Sequence, residues 1–439
     1  MRFGTDGVRG EAGTPPIDAA GARQVGSAAA RWAFHVGDST REARVAVAYD
    51  TRPSGPALAD EVLQGVVRAG ATAIHLGVLP TPALQTAIAA GLADVGVMVT
   101  ASHNPASDNG FKVVGPGGFK PDDAETARLE AWMAAPASGC GGPSRVARAE
   151  ALQAYAEAIA TVVPDPGALV GRRLVVDLAH GAATATRALW TAHLRGVDLR
   201  WISTGEGTIN EGVGSEHPAT LASAVVAVGA DAGLAVDGDG DRALLIDATG
   251  TPVAGDALLG LLASSREAAS LVVTVMSSYA LEAALPGVDV IRTGVGDRHV
   301  AEALRRSGAA VGGEESGHAL LRGGPPGGDG LLIGFATLQA AFAREPTLRA
   351  AVAPFAVWPR RLTKVRAATR ANVEADPRVA AACSDWTERL GGGRVFIRWS
   401  GTEPVLRVLV EGPDAGVVAD ASAAVTQACA TALGVSTGA

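Results

Sequence analysis

Cysteine is scarce, lysine scarcer, and long apolar runs are missing. Cys140, Cys383 and Cys429 lie far apart and form no C-x-x-C pair. They make neither a disulfide framework nor a thiolate zinc site, and a reducing, cytoplasmic setting suits them. No stretch nears the ~18 apolar residues of a membrane span; the longest candidate, 92–99, carries Asp94. Arg2 and Asp6 interrupt the N-terminus before an apolar core develops, so no signal peptide is expected. Basic charge is also short: 37 Lys and Arg stand against 45 Asp and Glu, a formal net charge of −8. With no basic surplus for a polyphosphate backbone, nucleic acid is not an expected partner, nor is a membrane. Lysine occurs only at Lys112, Lys120 and Lys364. Arginine is otherwise the default, which draws attention to each. None of the three follows a phosphate-cradling G-x-x-x-x-G, so a P-loop is excluded.

The 439 residues are 48% hydrophobic and only 4% aromatic, with 56 glycines. That length predicts several domains built on aliphatic cores. Strand-like runs fall at 44–49, 95–99, 173–177, 233–237, 271–275, 309–311, 394–398 and 405–411. Helical stretches alternate with them, at 56–69, 149–162, 184–194, 296–306 and 331–342. Alternation of this kind predicts an α/β fold with largely parallel, buried strands. Loop chemistry at 135–144, 164–168, 250–252 and 354–360 divides the chain near 1–153, 154–250, 251–355 and 356–439. In each part a polar loop follows a hydrophobic strand, and such loops are where open α/β sheets bind ligands.

Four constellations carry chemistry. Thr100-Ala101-Ser102-His103-Asn104-Pro105, with Lys112 close behind, presents a serine on a tight loop as nucleophile or phosphate carrier. Asp237-Gly238-Asp239-Gly240-Asp241-Arg242 alternates carboxylates with glycines, an all-oxygen set for a hard cation such as Mg²⁺. An EF-hand is excluded, because its sixth and twelfth positions hold Arg242 and Ala248. Gly312-Gly313-Glu314-Glu315-Ser316-Gly317-His318 offers Glu314 and Ser316 to sugar hydroxyls and His318 as an acid or base. Gly328-Asp329-Gly330 follows and is placed to restrict that loop. Arg398-Trp399-Ser400-Gly401-Thr402-Glu403-Pro404, with Arg407, is a cradle for a dianion, or alternatively a plain turn between two strands. Two arginine segments join these. Phe3–Gly10 holds Arg9, a phosphate ligand candidate. In 50–55, Asp50 or Ser54 reads as a cap for the next helix.

In this order the motifs resemble the α-D-phosphohexomutase superfamily over nearly the whole chain. Phe3–Gly10, Ser400–Pro404, Val295–Arg298 and Val275–Ser277 look most like its bacterial phosphoglucosamine mutase branch. The resemblance implies four domains around a central cleft: three similar α/β units and a smaller C-terminal α+β domain. It implies that Ser102 is a phosphoserine, and that one Mg²⁺ is held by Asp237, Asp239, Asp241 and an oxygen on phosphorylated Ser102. Glu314 and Ser316 are then expected on the sugar. Arg398, Ser400, Gly401, Thr402 and Arg407 are expected on the phosphate that does not react. Arg9, Lys112, Arg242 and His318 are expected around the phosphoryl group in transfer. The implied reaction interconverts glucosamine 6-phosphate and glucosamine 1-phosphate through a bisphosphorylated sugar, with a bisphosphorylated hexose as activator. The expected partner is the phosphosugar, on a monomer or homodimer. Tyr49, His299, Glu315 and Trp399 depart from the usual pattern. They leave open a mannose or glucose phosphate as substrate, and a non-catalytic sugar-phosphate sensor is the alternative of another class.

Overall fold

The structure is a computed structural model that describes residues 2–4, 6–37, 42–135, 141–400 and 404–435. The chain forms two compact units, one of Met1–Met276 with Ile291–Ala353, the other of Ser277–Val290 with Pro354–Ala439.

Among the described residues four sheets carry the strands. The first contains β1 (Val8–Glu11), β2 (Arg44–Tyr49), β3 (Thr72–Val78), β4 (Val95–Val99), β5 (Asp108–Val114) and β6 (Ser144–Val146), in the order β1-β5-β4-β2-β3-β6. The second contains β7 (Arg173–Asp177), β8 (Asp198–Ile202), β9 (Ala232–Val236), β10 (Ala243–Asp247) and β11 (Pro252–Val253), in the order β11-β10-β9-β7-β8. The third contains β12 (Ser270–Thr274), β13 (Asp289–Thr293), β14 (Val311–Gly313) and β15 (Ala319–Leu321), in the order β13-β12-β14-β15. The fourth, in the second unit, contains β16 (Arg360–Arg366), β17 (Arg394–Trp399) and β18 (Val405–Glu411) and is antiparallel throughout.

The inner strands are apolar because helices cover them. All five residues of β4 are buried, as are all five of β9. In the first sheet β2 is parallel to β3 and β4, with helices Ala19–Val36 and Gly55–Arg68 packed against it. Asp18 caps the first of these, accepting from Gly21 N–H at 2.8 Å. Helix Ala415–Leu433 is long and apolar enough to cross a membrane by length and composition. Its Val418, Ala421, Val425, Cys429 and Ala430 instead lie in the core of the second unit.

The sheets are less parallel than the alternation predicts. β5 runs antiparallel to β4, β10 to β9, and β15 to β14. The polar loops at Ser102, Asp237 and Glu314 are therefore turns of β-hairpins appended to parallel strands, not strand-to-helix crossovers. The fourth loop joins the antiparallel pair β17 and β18. β14 begins two residues later than the expected strand at 309–311, because Gly312 and Gly313 pair with Leu320 and Ala319. Glycine weakens the strand signal where backbones approach closely. The stretch 184–194 is a tight 3₁₀ turn, Ala182–Thr186, followed by a short helix, Arg187–His193. Ser54 makes no side-chain cap, and its hydroxyl accepts from Asn109 at 2.8 Å instead. Asp50 is likewise not a cap but the partner of Arg52 and Thr100.

Candidate active site

Ser102 begins the turn that leaves β4. It is 1% exposed and has φ 51°, the left-handed region. For a non-glycine residue that conformation costs roughly 1–3 kcal/mol and persists only where its surroundings fix it. Its hydroxyl donates to Asp237 Oδ2 at 2.5 Å, which joins the serine loop to the aspartate loop. Gly238 makes this approach possible, since a Cβ there would lie 2.6 Å from Ser102 O. His103 Nδ1 stands 3.5 Å from the Ser102 hydroxyl.

The aspartate loop turns between β9 and β10. One carboxylate oxygen from each of Asp237, Asp239 and Asp241 lies within 4.8 Å of the others, and all three residues are buried. Burial, then Asp241 and Asp239 beside it, push the Asp237 carboxyl up to about 8. Among the described residues Asp239 Oδ1 and Asp241 Oδ1 are buried without hydrogen-bond partners, the latter with His318 Nδ1 at 3.7 Å. Orphaned carboxylate oxygens in mutual repulsion fit a hard divalent cation, which such an oxygen set holds.

Lys112 reaches this loop from β5. Its Nζ lies 2.7 Å from Asp239 Oδ2 and 2.9 Å from Asp241 Oδ2. Burial opposes its charge, but those carboxylates hold the ammonium well above the usual lysine range. Thr81 Oγ1 donates to Asp239 Oδ2 at 2.5 Å. Arg242 donates to Glu216 at 3.2 Å, and Arg9 pairs with Asp6.

The third hairpin turn adds Glu314, Ser316 and His318. Gly317 has φ 85°, and a Cβ there would lie 2.1 Å from Ala243 O. Its carbonyl accepts from Ala243 N–H at 3.0 Å, which ties this turn to the strand beyond the aspartates. His318 sits between two carboxylates, with Nε2 3.2 Å from Asp297 and Nδ1 3.7 Å from Asp241. Burial works against its charge, yet Asp297 and Asp241 push it up to about 10. A pocket of about 290 Å³ is lined by Asp6, Lys120, Asp241, Arg242, Asp297, Glu314, Ser316 and His318 among others. Glu314 is oriented in it by Gly296 N–H, which donates to Oε1 at 3.0 Å.

The first unit thus brings together Ser102, Lys112, the three aspartates, Arg9, Arg242, Glu314, Ser316 and His318. The second unit carries Arg398, Ser400 and Arg407. Arg398 lies directly across the β17–β18 ladder from Arg407. Like charges so placed repel. Arg407 Nε is buried without a hydrogen-bond partner among the described residues, so both arginines suit an anion. Arg370 donates to Ser400 O at 2.7 Å, and Trp399 Nε1 to Ala371 O at 2.9 Å. Gly401, Thr402 and Glu403 lie outside the described residues, as do Thr5 and Cys140.

Sequence reasoning assigned no role to Lys120, Asp6 or Asp297. Lys120 Nζ bridges Asp6 and Asp297, the latter at 2.5 Å. Lys120 and His318 hold the Asp297 carboxyl well below its usual range, against the upward push of burial. The scarcity of lysine was the available signal.

Three family descriptions match this chain: phosphoglucomutase/phosphomannomutase alpha/beta/alpha domain I over residues 1–138, domain III over 254–356, and the C-terminal domain over 362–428. The chain belongs to this phosphohexomutase family, whose members are intramolecular phosphotransferases of the isomerase class. It is 40% identical over 434 residues to the phosphoglucosamine mutase of Paracoccus denitrificans, covering 95% of this chain and 96% of that relative. It is 41% identical over 427 residues to the phosphoglucosamine mutase of Mycobacterium sp. (strain KMS), covering 94% and 95%. A phosphoglucomutase/phosphomannomutase family protein from Burkholderia thailandensis shares the fold, with a TM-score of 0.77 at 24% identity over 98% of this chain and 97% of that one. The N-acetylphosphoglucosamine mutase of Aspergillus fumigatus, solved with GlcNAc-6P and magnesium, aligns with a TM-score of 0.61 at 20% identity over 99% and 96%.

Proposed function

We propose that this chain interconverts glucosamine 6-phosphate and glucosamine 1-phosphate, in a cytoplasmic setting, by passing a phosphoryl group through Ser102. The observation that carries the reading is the 2.5 Å contact between the Ser102 hydroxyl and Asp237, inside a triad suited to a divalent cation. The names of relatives about 40% identical support the choice of sugar.

In this reading phosphorylated Ser102 gives its phosphoryl group to the free hydroxyl of the sugar. The P–Oγ bond breaks as the new P–O bond forms, and the hydroxyl proton leaves to a neighbouring acceptor. The bisphosphorylated sugar then presents its other phosphate, which returns to Ser102. Asp237, Asp239 and Asp241 hold Mg²⁺, which when bound draws charge from the phosphoryl oxygens. Lys112, Arg9, Arg242 and His318 surround the transferring group, and positioning with fixed charge supplies the catalysis. A bisphosphorylated hexose recharges any serine that loses its phosphate to water. Glu314 and Ser316 read sugar hydroxyls. The domain limits in this reading are 1–153, 154–250, 251–355 and 356–439.

Arg398, Ser400, Gly401, Thr402 and Arg407 hold the distal phosphate in both orientations of the sugar, because they read phosphate and not ring. Arg398→Ala is therefore expected to weaken substrate binding by roughly 2–3 kcal/mol, the scale of a charge-assisted hydrogen bond. Mg²⁺ affinity and phosphorylation of Ser102 should persist, which steady-state kinetics, metal titration and intact-protein mass will read together. Unchanged substrate affinity places the distal phosphate elsewhere.

The substrate is tested by turnover of glucosamine, mannose and glucose phosphates side by side, with the matching bisphosphate activator. The highest kcat/KM is expected for glucosamine 6-phosphate. Preference for a mannose or glucose phosphate replaces the sugar and keeps the chemistry. No turnover of any of them favours a sugar-phosphate sensor.

A further inference from the structure

Arg52 is among the largest fully buried side chains of the molecule, at 1% exposure. Its guanidinium spreads over the backbone of the serine loop. Nη2 donates to Ser102 O and to Asn104 O, both at 2.8 Å. Nη1 donates to Asp108 O at 2.8 Å and to Pro105 O. Nε donates to Asp50 Oδ2 at 3.0 Å, and that same oxygen accepts from Thr100 Oγ1 at 2.6 Å. Thr100 Oγ1 in turn accepts from Ser102 N–H at 2.9 Å. From the second sheet's part of the chain, Asn210 Nδ2 donates to Ser102 O at 2.8 Å and to Asn104 O at 3.0 Å.

The backbone of Ser102 is therefore gripped on both sides, its N–H by Thr100 and its C=O by Arg52 and Asn210. The grip coincides with the left-handed φ of 51° that no glycine is there to relieve. Released from it, a serine returns to the commoner backbone regions. Its hydroxyl then leaves the 2.5 Å contact with Asp237.

We propose that Arg52, seconded by Asn210, is the positioning residue of the phosphoryl carrier. It fixes the backbone that aims Ser102 Oγ at the aspartate loop and binds neither sugar nor phosphate itself. The inference rests on the reading of Ser102 as that carrier. A planar fork serves four carbonyls at once, whereas a lysine ammonium is a single point.

Arg52→Lys tests this, because it keeps the positive charge that Asp50 requires and removes the fork. Expected is a fall in kcat of about 10²-fold, the scale of a misplaced reacting group, with KM within about threefold of wild type. Mn²⁺ affinity, read by electron paramagnetic resonance, should be kept, and intact mass should show slower rephosphorylation of the serine by a hexose bisphosphate. Asn210→Ala removes the second grip without touching the Asp50 pair, and a fall of about 10-fold in kcat is expected. It also carries the test if the lysine variant does not fold. A kcat within about threefold of wild type in the folded variants overturns the proposal. So does a loss of kcat matched by an equal rise in KM, the mark of a site that has collapsed as a whole. Ser102→Ala, run beside them, separates the two levels. An active alanine variant removes the carrier and the inference with it. An inactive one beside an unimpaired Arg52→Lys removes the inference alone.

Discussion

Ser102→Ala is expected to lose activity by on the order of 10⁴-fold or more, about 5 kcal/mol of barrier, because it removes the loop hydroxyl that is held against the aspartate triad. The hydroxyl is 1% exposed and donates to Asp237 at 2.5 Å, so no water-borne nucleophile takes its place without rebuilding the loop. The variant should still fold, since one lost hydrogen bond costs about 1 kcal/mol net. Thermal unfolding should shift by only a few degrees while the phosphorylated fraction disappears from intact mass. Full activity in a properly folded alanine variant would sink the covalent route.

The second large effect is expected from Asp239→Asn. Asp239 Oδ2 already accepts from Thr81 at 2.5 Å and Lys112 at 2.7 Å, while Oδ1 is buried without a hydrogen-bond partner among the described residues. Replacing Oδ1 or Oδ2 by an amide nitrogen puts a donor into a set that offers only oxygens. Lys112 keeps Asp241 at 2.9 Å, so the fold loses little. Mg²⁺ binding by calorimetry should weaken strongly. Turnover at fixed Mg²⁺ should fall about 10²–10³-fold, the scale of one preorganised electrostatic group. EDTA should abolish wild-type turnover and Mg²⁺ restore it. Undiminished turnover after thorough chelation means the aspartates serve the fold alone.

These residues could be found in the sequence because each loop is contiguous. Asp237, Asp239 and Asp241 alternate within five positions, so a single hairpin turn carries all three. The inner strands were legible for a similar reason: β2, β4, β7 and β18 are mostly apolar runs with the bounds expected. β5 was not, because Asp108-Asn109-Gly110 reads as a turn. The polar groups of β5 are instead used across the fold, Asn109 on Ser54 and Lys112 on two aspartates. Lys120 with Asp6 and Asp297, and Arg52 with the serine loop, join positions far apart in the chain. Such pairs are made by tertiary packing and leave no local pattern to read. Arg52 in particular sits two residues after Asp50 in a segment whose composition suits a helix cap, and its partners are backbone carbonyls, which no sequence displays.

The central claim is that phosphate travels through Ser102, and a single-turnover transfer tests it most directly. Enzyme carrying radiolabelled phosphate on Ser102 is mixed with glucosamine 6-phosphate and quenched over time, and label is followed on the Ser102 peptide and on the sugar. The account predicts that label leaves the peptide and enters glucosamine 1,6-bisphosphate and then the monophosphates, no slower than product forms. Product formed while the label stays on Ser102 would contradict it.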